Sequence, residues 1–210
     1  MRTILVASSK GGCGKTTVAC NLAAFYASAG KPTALVDCDR QGSALRWAEK
    51  RAASSDPVLG LSARPGGKFK SRLPADCSRV IVDSPAGIRP GEVADLCAEC
   101  DALVIPALAS VIDLEATTSF LTELAALAPF KRGKFPVAIV ANRLKPWTVT
   151  SQNALEQMQE WPLPVVAKLR DAQGYVLLAG LGRSIFDYHS AQVQSHQDDW
   201  RPLLKWLKTH

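Results

Sequence analysis

The sequence predicts a single α/β domain in which helices cover both faces of a mostly parallel, twisted sheet. Three observations predict it: short apolar runs alternate with helical patterns, a glycine-rich loop follows the first run, and acidic residues follow later runs. Such alternation builds parallel sheets that bind ligands at the carboxyl ends of their strands. The predicted strands are 4–7, 33–36, 80–82, 103–105, 137–141 and 165–169.

The first predicted strand leads through a phosphate-binding loop into a helical stretch, 16–28. The loop consists of Lys10, Gly11, Gly12, Cys13, Gly14, Lys15, Thr16 and Thr17. Its glycines permit positive φ angles and a close approach of the backbone, so several amides and the helix N-terminus converge on one anion. The loop therefore predicts a nucleoside triphosphate site on a P-loop NTPase-like fold.

Individual side chains of the loop have separate expected roles. Lys15 supplies positive charge to the β- and γ-phosphates, and the Thr16 hydroxyl can bind Mg²⁺. Thr17 is placed to hydrogen-bond on the α-phosphate side. Cys13 occupies a variable position of the nucleotide-binding loop, and we expect no chemistry from its thiol.

Lys10 distinguishes this loop from an ordinary phosphate-binding loop, which needs only the lysine at position 15. With both lysines the sequence resembles the ParA/MinD family of deviant Walker A ATPases, and most closely the small ParF-like partition ATPases. The resemblance implies that Lys10 reaches across a dimer interface to the nucleotide of the other subunit. The structural alternative is an exposed lysine beside a turn.

Two carboxylates, Asp37 and Asp39, end the second predicted strand. Side chains two residues apart at a strand end can point toward a hydrated Mg²⁺ and toward an attacking water. The resemblance implies that Asp39 orients that water and that Asp37 binds Mg²⁺ through water. Arg40 stands where the family usually has proline. Both acids could instead cap the helix that begins near Ser43.

The β-branched run 80–82 ends in Asp83, followed by Ser-Pro-Ala-Gly87. This position suits an aspartate that holds Mg²⁺ through water, before a loop that responds to the γ-phosphate. Gly87 is either the hinge of that loop or an ordinary turn residue. Further along, Asn142 matches the place where the family often recognises adenine, although it could simply end its strand.

Length and composition bound the domain organisation. The 210 residues, 47% of them hydrophobic, suffice for one well-buried core. We therefore expect one domain over 1–210 without an N-terminal helix-turn-helix. Six cysteines without a signal peptide indicate reduced thiols and a cytoplasmic protein. Cys97 and Cys100 form a CxxC in a helical stretch, 91–100, where packing is favoured over a metal or iron–sulfur site.

The chain is basic, with a net charge of +6 and a pI near 9.1. The segment 64–72 has four basic residues and 131–145 has five, with no acid in either. Such clusters can bind DNA phosphates without reading sequence, although they are also common on solvated surfaces. The C-terminal segment 200–210 has an apolar and a basic face, as a packed last helix or an interfacial membrane helix would.

The phosphate-binding loop and the strand-end acids predict an ATPase with ATP and Mg²⁺ as cofactors, and the resemblance implies that it dimerises with ATP. The resemblance implies a homodimer on nonspecific DNA that positions a plasmid, chromosome origin or protein cluster, with hydrolysis stimulated by a ParB-like or other adaptor, and a nucleoid-associated location. Membrane binding is not expected. The alternatives are a MinD-like membrane-cycling regulator and a metabolic ligase of the dethiobiotin synthetase type, for which no substrate motif is present.

Overall fold

The computed structural model describes residues 1–64 and 67–210, where seven strands alternate with seven α-helices. The strands are β1 (Arg2–Val6), β2 (Thr33–Asp37), β3 (Leu59–Ser62), β4 (Arg79–Asp83), β5 (Ala102–Leu108), β6 (Val137–Leu144) and β7 (Val165–Arg170). The helices are α1 (Lys15–Ser28), α2 (Ser43–Arg51), α3 (Pro90–Cys97), α4 (Val111–Ala126), α5 (Val149–Met158), α6 (Gln173–Gly180) and α7 (Ala191–Thr209).

All strands belong to one parallel sheet in the order β3-β2-β4-β1-β5-β6-β7. β2, β3 and β4 lie on one side of the central strand β1, with β3 at the edge. β5, β6 and β7 follow in order on the other side. Ligands of such sheets bind where the strand order reverses, beyond the carboxyl ends of the strands. The phosphate-binding loop follows the central strand β1, so the topology places it at that position.

Two apolar layers enclose the sheet because its central strands are apolar on both faces. Along β1, Leu5 belongs to the layer under α3, α4 and α5, whereas Ile4 and Val6 belong to the layer under α1, α2 and α7. Strands buried on both faces are typical of parallel sheets with helical crossovers. The predicted fold class is confirmed, and β3 at one edge adds a seventh strand to the six that were predicted.

The last helix, α7, packs onto the sheet. Trp200, Leu203 and Leu207 are fully buried in the second layer, and Leu204 and Trp206 pack against it. The apolar face that suggested an interfacial helix is thus used inside the protein. Within the described residues, no helix is both long enough and apolar enough to span a bilayer.

The CxxC pair does not lie within one helix, so the predicted helical stretch 91–100 is too long. The predicted helix 91–100 is α3, which begins at Pro90 and ends at Cys97, and Cys100 lies in the turn beyond it. Burial raises the pKa of the Cys97 thiol and raises that of Cys100 to about 12. In the part of the chain described, no three His, Cys, Asp or Glu residues are grouped as a metal site would require. Packing is the role the geometry supports.

The basic segment 131–145 is not one patch, contrary to the sequence-based expectation. Strand β6 runs through it, so Lys131 and Lys134 lie at the amino end of the sheet and Arg143 and Lys145 at the carboxyl end. An eight-residue strand separates these ends by about 25 Å. In the other segment, 64–72, residues 65 and 66 lie outside the described residues, and Lys70 pairs with Glu99 at 3.2 Å.

Candidate nucleotide-binding site

The phosphate-binding loop has the backbone geometry of an anion cradle. Gly12 and Gly14 have φ angles of 75° and 90°, in the left-handed region that favours glycine. Gly14 is the residue that precedes α1, and no side chain caps this helix start. The first amides of α1 therefore remain available to an anionic ligand, and the helix dipole adds to their attraction.

Lys15 is 7% exposed, and its Nζ donates a hydrogen bond to the Lys10 carbonyl at 3.0 Å. The Cys13 thiol donates to the same carbonyl at 3.3 Å. The loop thus folds around its own lysine, which holds a buried positive charge beside the free amides of α1. This placement matches the phosphate-binding role expected for Lys15.

The Lys10 side chain lies on the outside of the same loop. Its Nζ is 3.8 Å from Asp113 Oδ1, and the two side chains are 34% and 24% exposed. Asp113 also accepts a short hydrogen bond from the Ser110 hydroxyl, at 2.6 Å. A partly exposed pair at this distance contributes about 1 kcal/mol or less, so Lys10 can leave Asp113 at small energetic cost.

Thr16 and Asp83 meet at the start of α1, as expected for a Mg²⁺ site. The Thr16 hydroxyl donates to Asp83 Oδ2 at 2.7 Å, while the buried Asp83 Oδ1 has no hydrogen-bond partner in the described part of the chain. Burial, together with the neighbouring Asp37 carboxylate, raises the pKa of Asp83 to about 7. A buried carboxylate oxygen without a donor suits a cation or its bound water, so Thr16 and Asp83 fit Mg²⁺.

The raised pKa of Asp83 predicts a pH-dependent stability of the nucleotide-free protein. The folded state keeps this proton up to about pH 7, whereas the ordinary pKa is 3.8. Between these values the folded state binds more protons, so the free energy of unfolding falls as pH rises. We expect Asp83→Asn to match the parent near pH 4 and to exceed its stability by up to about 4 kcal/mol near pH 8. Urea unfolding of both proteins without Mg²⁺ at the two pH values measures this. An equal difference in the free energy of unfolding between variant and parent at both pH values would contradict the prediction.

Asp37 is buried, and its carboxylate organises the loop after β2. Its Oδ1 accepts from the Asp39 amide at 2.9 Å and its Oδ2 from the Leu45 amide at 2.8 Å. Leu45 lies in the first turn of α2, whose preceding residue, Gly42, provides no side-chain cap. The Asp37 carboxylate therefore caps α2 from the strand end, which was the structural alternative considered for this residue. Its expected contact with hydrated Mg²⁺ stays a prediction.

Asp39 joins two loops at the carboxyl end of the sheet. Its Oδ1 accepts from the Gln41 amide at 2.9 Å, and its Oδ2 accepts from the Ala86 amide at 3.0 Å. The first bond closes its own loop, and the second reaches the loop after β4. Gly87, the next residue, has a φ of 69°, which is why glycine is needed there. The loops that carry Asp39 and Asp83 are therefore mechanically connected through Asp39.

Asn142 supports the phosphate-binding loop from β6. Its buried side-chain amide donates from Nδ2 to the Cys13 carbonyl at 2.8 Å. A Cβ on Gly14 would collide with the same amide. Pairing of β6 with β7 shifts register between residues 141 and 144, and Arg143 there has a φ of 56°. This irregularity turns Asn142 toward the loop, a contact in addition to the adenine contact expected of it.

A matched pair of glycine substitutions tests this packing. Gly14→Ala forces a side chain into the left-handed region and against Asn142, whereas Gly11→Ala meets open space and has no positive φ. We expect Gly14→Ala to lower the free energy of unfolding by about 1–3 kcal/mol. Gly11→Ala should stay within about 0.5 kcal/mol of the parent. Urea unfolding of the nucleotide-free protein measures both, and equal losses would contradict the close fit of Gly14.

One cavity of about 380 Å³, large enough for much of a nucleotide, is lined by Gly12, Gly14, Lys15, Thr16, Thr17, Asp39 and Asn142. Lys10, Asp37 and Asp83 are not among its lining residues. Its phosphate end contains the loop, Asp39 and Asn142, and its far end is formed by residues at the β7–α6 junction. The sequence motifs alone did not assign a role to this far wall. Its residues are Leu169, Arg170, Asp171, Ala172, Tyr175 and Val176.

Sequence comparisons relate the chain to known proteins. A model of the CobQ/CobB/MinD/ParA nucleotide binding domain matches residues 4–182. The maintenance of carboxysome distribution protein A of Halothiobacillus neapolitanus is 32% identical over 207 residues, covering 96% of this chain and 94% of that protein. The protein of the same name from Gloeobacter kilaueensis is 38% identical over 208 residues, covering 98% and 94%.

Solved structures show the same fold. Apo McdA from Cyanothece superposes with a TM-score of 0.74 at 18% identity, over 99% of this chain and 98% of that chain. A variant of Cyanothece McdA in complex with ATP gives a TM-score of 0.71 at 19% identity, over 99% and 95%. The resemblance inferred from the two lysines and the strand-end acids is confirmed. The chain belongs to the CobQ/CobB/MinD/ParA family of nucleotide-binding proteins.

Proposed function

We propose that this protein is an ATPase that positions a cellular cargo by cycling between an ATP-bound dimer on DNA and free monomers. The observation that carries the proposal is the placement of its two loop lysines. Lys15 is buried at the anion cradle, whereas Lys10 is partly exposed and held only by a weak ion pair to Asp113. In this proposal Lys15 would serve the nucleotide of its own subunit, and Lys10 would reach the nucleotide of a second subunit.

Hydrolysis requires water, Mg²⁺ and a group that orients the water. Thr16 and Asp83 would hold Mg²⁺, directly and through water, and the metal would neutralise charge on the β- and γ-phosphates. Asp39 would orient the attacking water, a role supported by its position in the cavity lining and by its bonds to the loops on either side. The water oxygen would bond to the γ-phosphorus as the bond to the β-phosphate oxygen breaks, giving ADP and phosphate.

ATP would favour the dimer because only the dimer brings Lys10 to the second nucleotide. A ligand shifts an equilibrium by its differential affinity for the two states, and this contact supplies the difference. After hydrolysis the γ-phosphate leaves, the contact is lost and the dimer dissociates. An adaptor protein bound to the cargo would stimulate this step.

Two further features support DNA as the surface that the dimer binds and a large assembly as the cargo. The net charge of +6 favours sequence-independent binding to phosphates. Two relatives that match nearly the whole chain are named for carboxysome distribution. We therefore propose that the cargo is a protein-based body rather than a plasmid or chromosome origin. We also propose that residues 1–210 form a single domain and that the protein is located on the nucleoid.

An electrophoretic mobility shift on random-sequence duplex DNA tests the cycle. We expect retardation with ATP or a slowly hydrolysed analogue, and little with ADP or without nucleotide. Because the contacts are to phosphates, affinity should fall steeply between about 50 and 200 mM salt. Binding that is independent of nucleotide would contradict the cycle, and the absence of binding in all conditions would remove DNA as the surface that the dimer binds.

The same samples distinguish the membrane-cycling alternative. Its expected membrane helix, α7, has Trp200, Leu203 and Leu207 buried in the core. We therefore expect no ATP-dependent cosedimentation with anionic phospholipid vesicles. Vesicle binding that requires ATP would favour the MinD-like alternative instead.

A further inference from the structure

Helix α6 exposes an unusual amount of apolar surface for its length. None of its eight residues is buried, and Val176 and Leu177 are 75% and 68% exposed. Leu181, just beyond the helix, is 66% exposed, and Tyr188 follows at 39%. These four are half of the eight large hydrophobic side chains exposed in the described part of the chain. Apolar clusters of this kind mark interaction sites.

A groove of about 450 Å³ runs beside α6. Its walls are mainly apolar and include Leu177, Leu178, Ile185, Tyr188 and Val193. A concave apolar groove accepts side chains of another protein, as in helix-in-groove recognition.

A basic cleft of about 210 Å³ borders α6 at Ala179. Arg46, Lys50 and Arg183 line this cleft and are exposed. In the part of the chain that the structure describes, none of the three forms an ion pair with a carboxylate. Lys50 donates instead to the Gly180 carbonyl at 2.8 Å, and Arg46 donates to the Gln41 carbonyl. Three cations that have no carboxylate partner beside an apolar groove are complementary to an occupant that has acidic residues next to apolar ones.

The segment that follows α6, residues 181–188, is held in place by hydrogen bonds to α1 and α2. Arg51 of α2 is fully buried and binds Asp187 through two hydrogen bonds, of 2.8 and 2.9 Å. Trp47 Nε1 also donates to the Arg183 carbonyl at 3.1 Å, and the Ile185 amide donates to Asn21 Oδ1 of α1 at 3.2 Å. The groove and the cleft are therefore preformed, which lowers the entropic cost of binding.

The same surface is connected to the nucleotide site. Tyr175 lines both the nucleotide cavity and the apolar groove. Helix α2, to which Arg183 and Asp187 are fastened, begins at Ser43, directly after the loop that carries Asp39. An occupant of the groove can therefore affect the two ends of the nucleotide site through Tyr175 and through α2.

We propose that α6, the apolar groove and the basic cleft form the docking surface for an amphipathic, acidic segment of the adaptor protein. This inference rests on the proposed function, because the adaptor is part of that cycle. The exposed leucines would pack against the apolar face of the segment, and its carboxylates would pair with Arg46, Lys50 and Arg183. DNA would satisfy the cations but would leave Leu177 and Leu181 in water.

A photo-cross-linking residue placed at Leu177 of the full chain in the source cells tests the identity of the occupant. The matched control is the same residue at Trp147, which is 75% exposed and follows β6. We expect Leu177, and not Trp147, to cross-link to another protein within a segment rich in apolar and acidic residues. Cross-links to a second copy of this chain, to DNA or to lipid, or no specific cross-link, would overturn the proposal.

A charge swap then tests the contact itself, with a synthetic peptide of the cross-linked segment as the probe. Arg183→Glu should weaken peptide binding about tenfold or more in fluorescence anisotropy, and Glu→Lys in the peptide should restore it. Lys208→Glu on α7 is the control for net charge. A peptide that binds Arg183→Glu as tightly as the parent would overturn the docking surface.

Separate readouts distinguish this inference from the proposed function. Arg183→Glu should retain basal ATP turnover and ATP-dependent dimerisation, and lose only the stimulation by the adaptor. If the parent protein neither binds DNA nor hydrolyses ATP while the cross-link and the charge swap hold, the proposed function fails and the docking surface stands. If the cycle operates and adaptor stimulation survives Arg183→Glu, the docking surface fails alone.

Discussion

Lys10→Ala should abolish ATP-dependent dimerisation while leaving nucleotide binding largely intact. Lys15 is buried at the anion cradle and is unaffected by the change, so the nucleotide of the same subunit keeps its main cation. The dimer loses a charge-assisted contact at each of its two nucleotides. Removing one partner of such a contact costs about 2–5 kcal/mol, which weakens association about 30-fold or more.

Sedimentation velocity with a slowly hydrolysed ATP analogue measures this effect, and a fluorescent nucleotide titration checks binding. Lys31→Ala is the control, because Lys31 is an exposed lysine at the opposite end of α1. A Lys10→Ala protein that dimerises like the parent would show that Lys10 is only a surface lysine beside a turn. A protein that no longer binds nucleotide would show that Lys10 acts within its own subunit.

Asp39→Ala should hold the protein in its ATP-bound, DNA-bound dimer. The substitution removes the carboxylate expected to orient water, and general acid–base or orienting groups contribute about 10²–10⁴-fold to turnover. It also removes the hydrogen bond from Ala86, which joins the two loops beside the γ-phosphate position. Binding of ATP does not depend on this carboxylate, so the dimer should form and persist.

Steady-state phosphate release and the lifetime of the DNA complex measure the two parts of this prediction. Asp76→Ala is the control for loss of a carboxylate, because Asp76 is exposed and lies shortly before β4, at the amino end of the sheet. Unchanged ATP turnover in Asp39→Ala would exclude Asp39 from catalysis. Reduced turnover with a short-lived DNA complex would separate hydrolysis from release of the dimer.

Local sequence determined the fold class and the position of the nucleotide site. Apolar runs separated by helical patterns require a sheet covered on both faces, because each strand must bury both of its sides. The glycines at positions 12 and 14, followed by Lys15, predict a phosphate-binding loop, because the residues of this motif are contiguous in the sequence. The acids that end β2 and β4 could be predicted from the sequence for the same reason, since the end of a strand is a local feature of the chain.

Tertiary structure decided which of these groups meet, because contacts between loops depend on the order of strands in the sheet. Asp39 reaches Ala86 because β2 lies beside β4, and Asn142 supports Cys13 from 129 residues away. The segment 131–145 divides between two ends of the sheet because β6 runs through it. The exposure of α6 likewise appears only when the core is assembled, since a helix of apolar residues normally predicts burial.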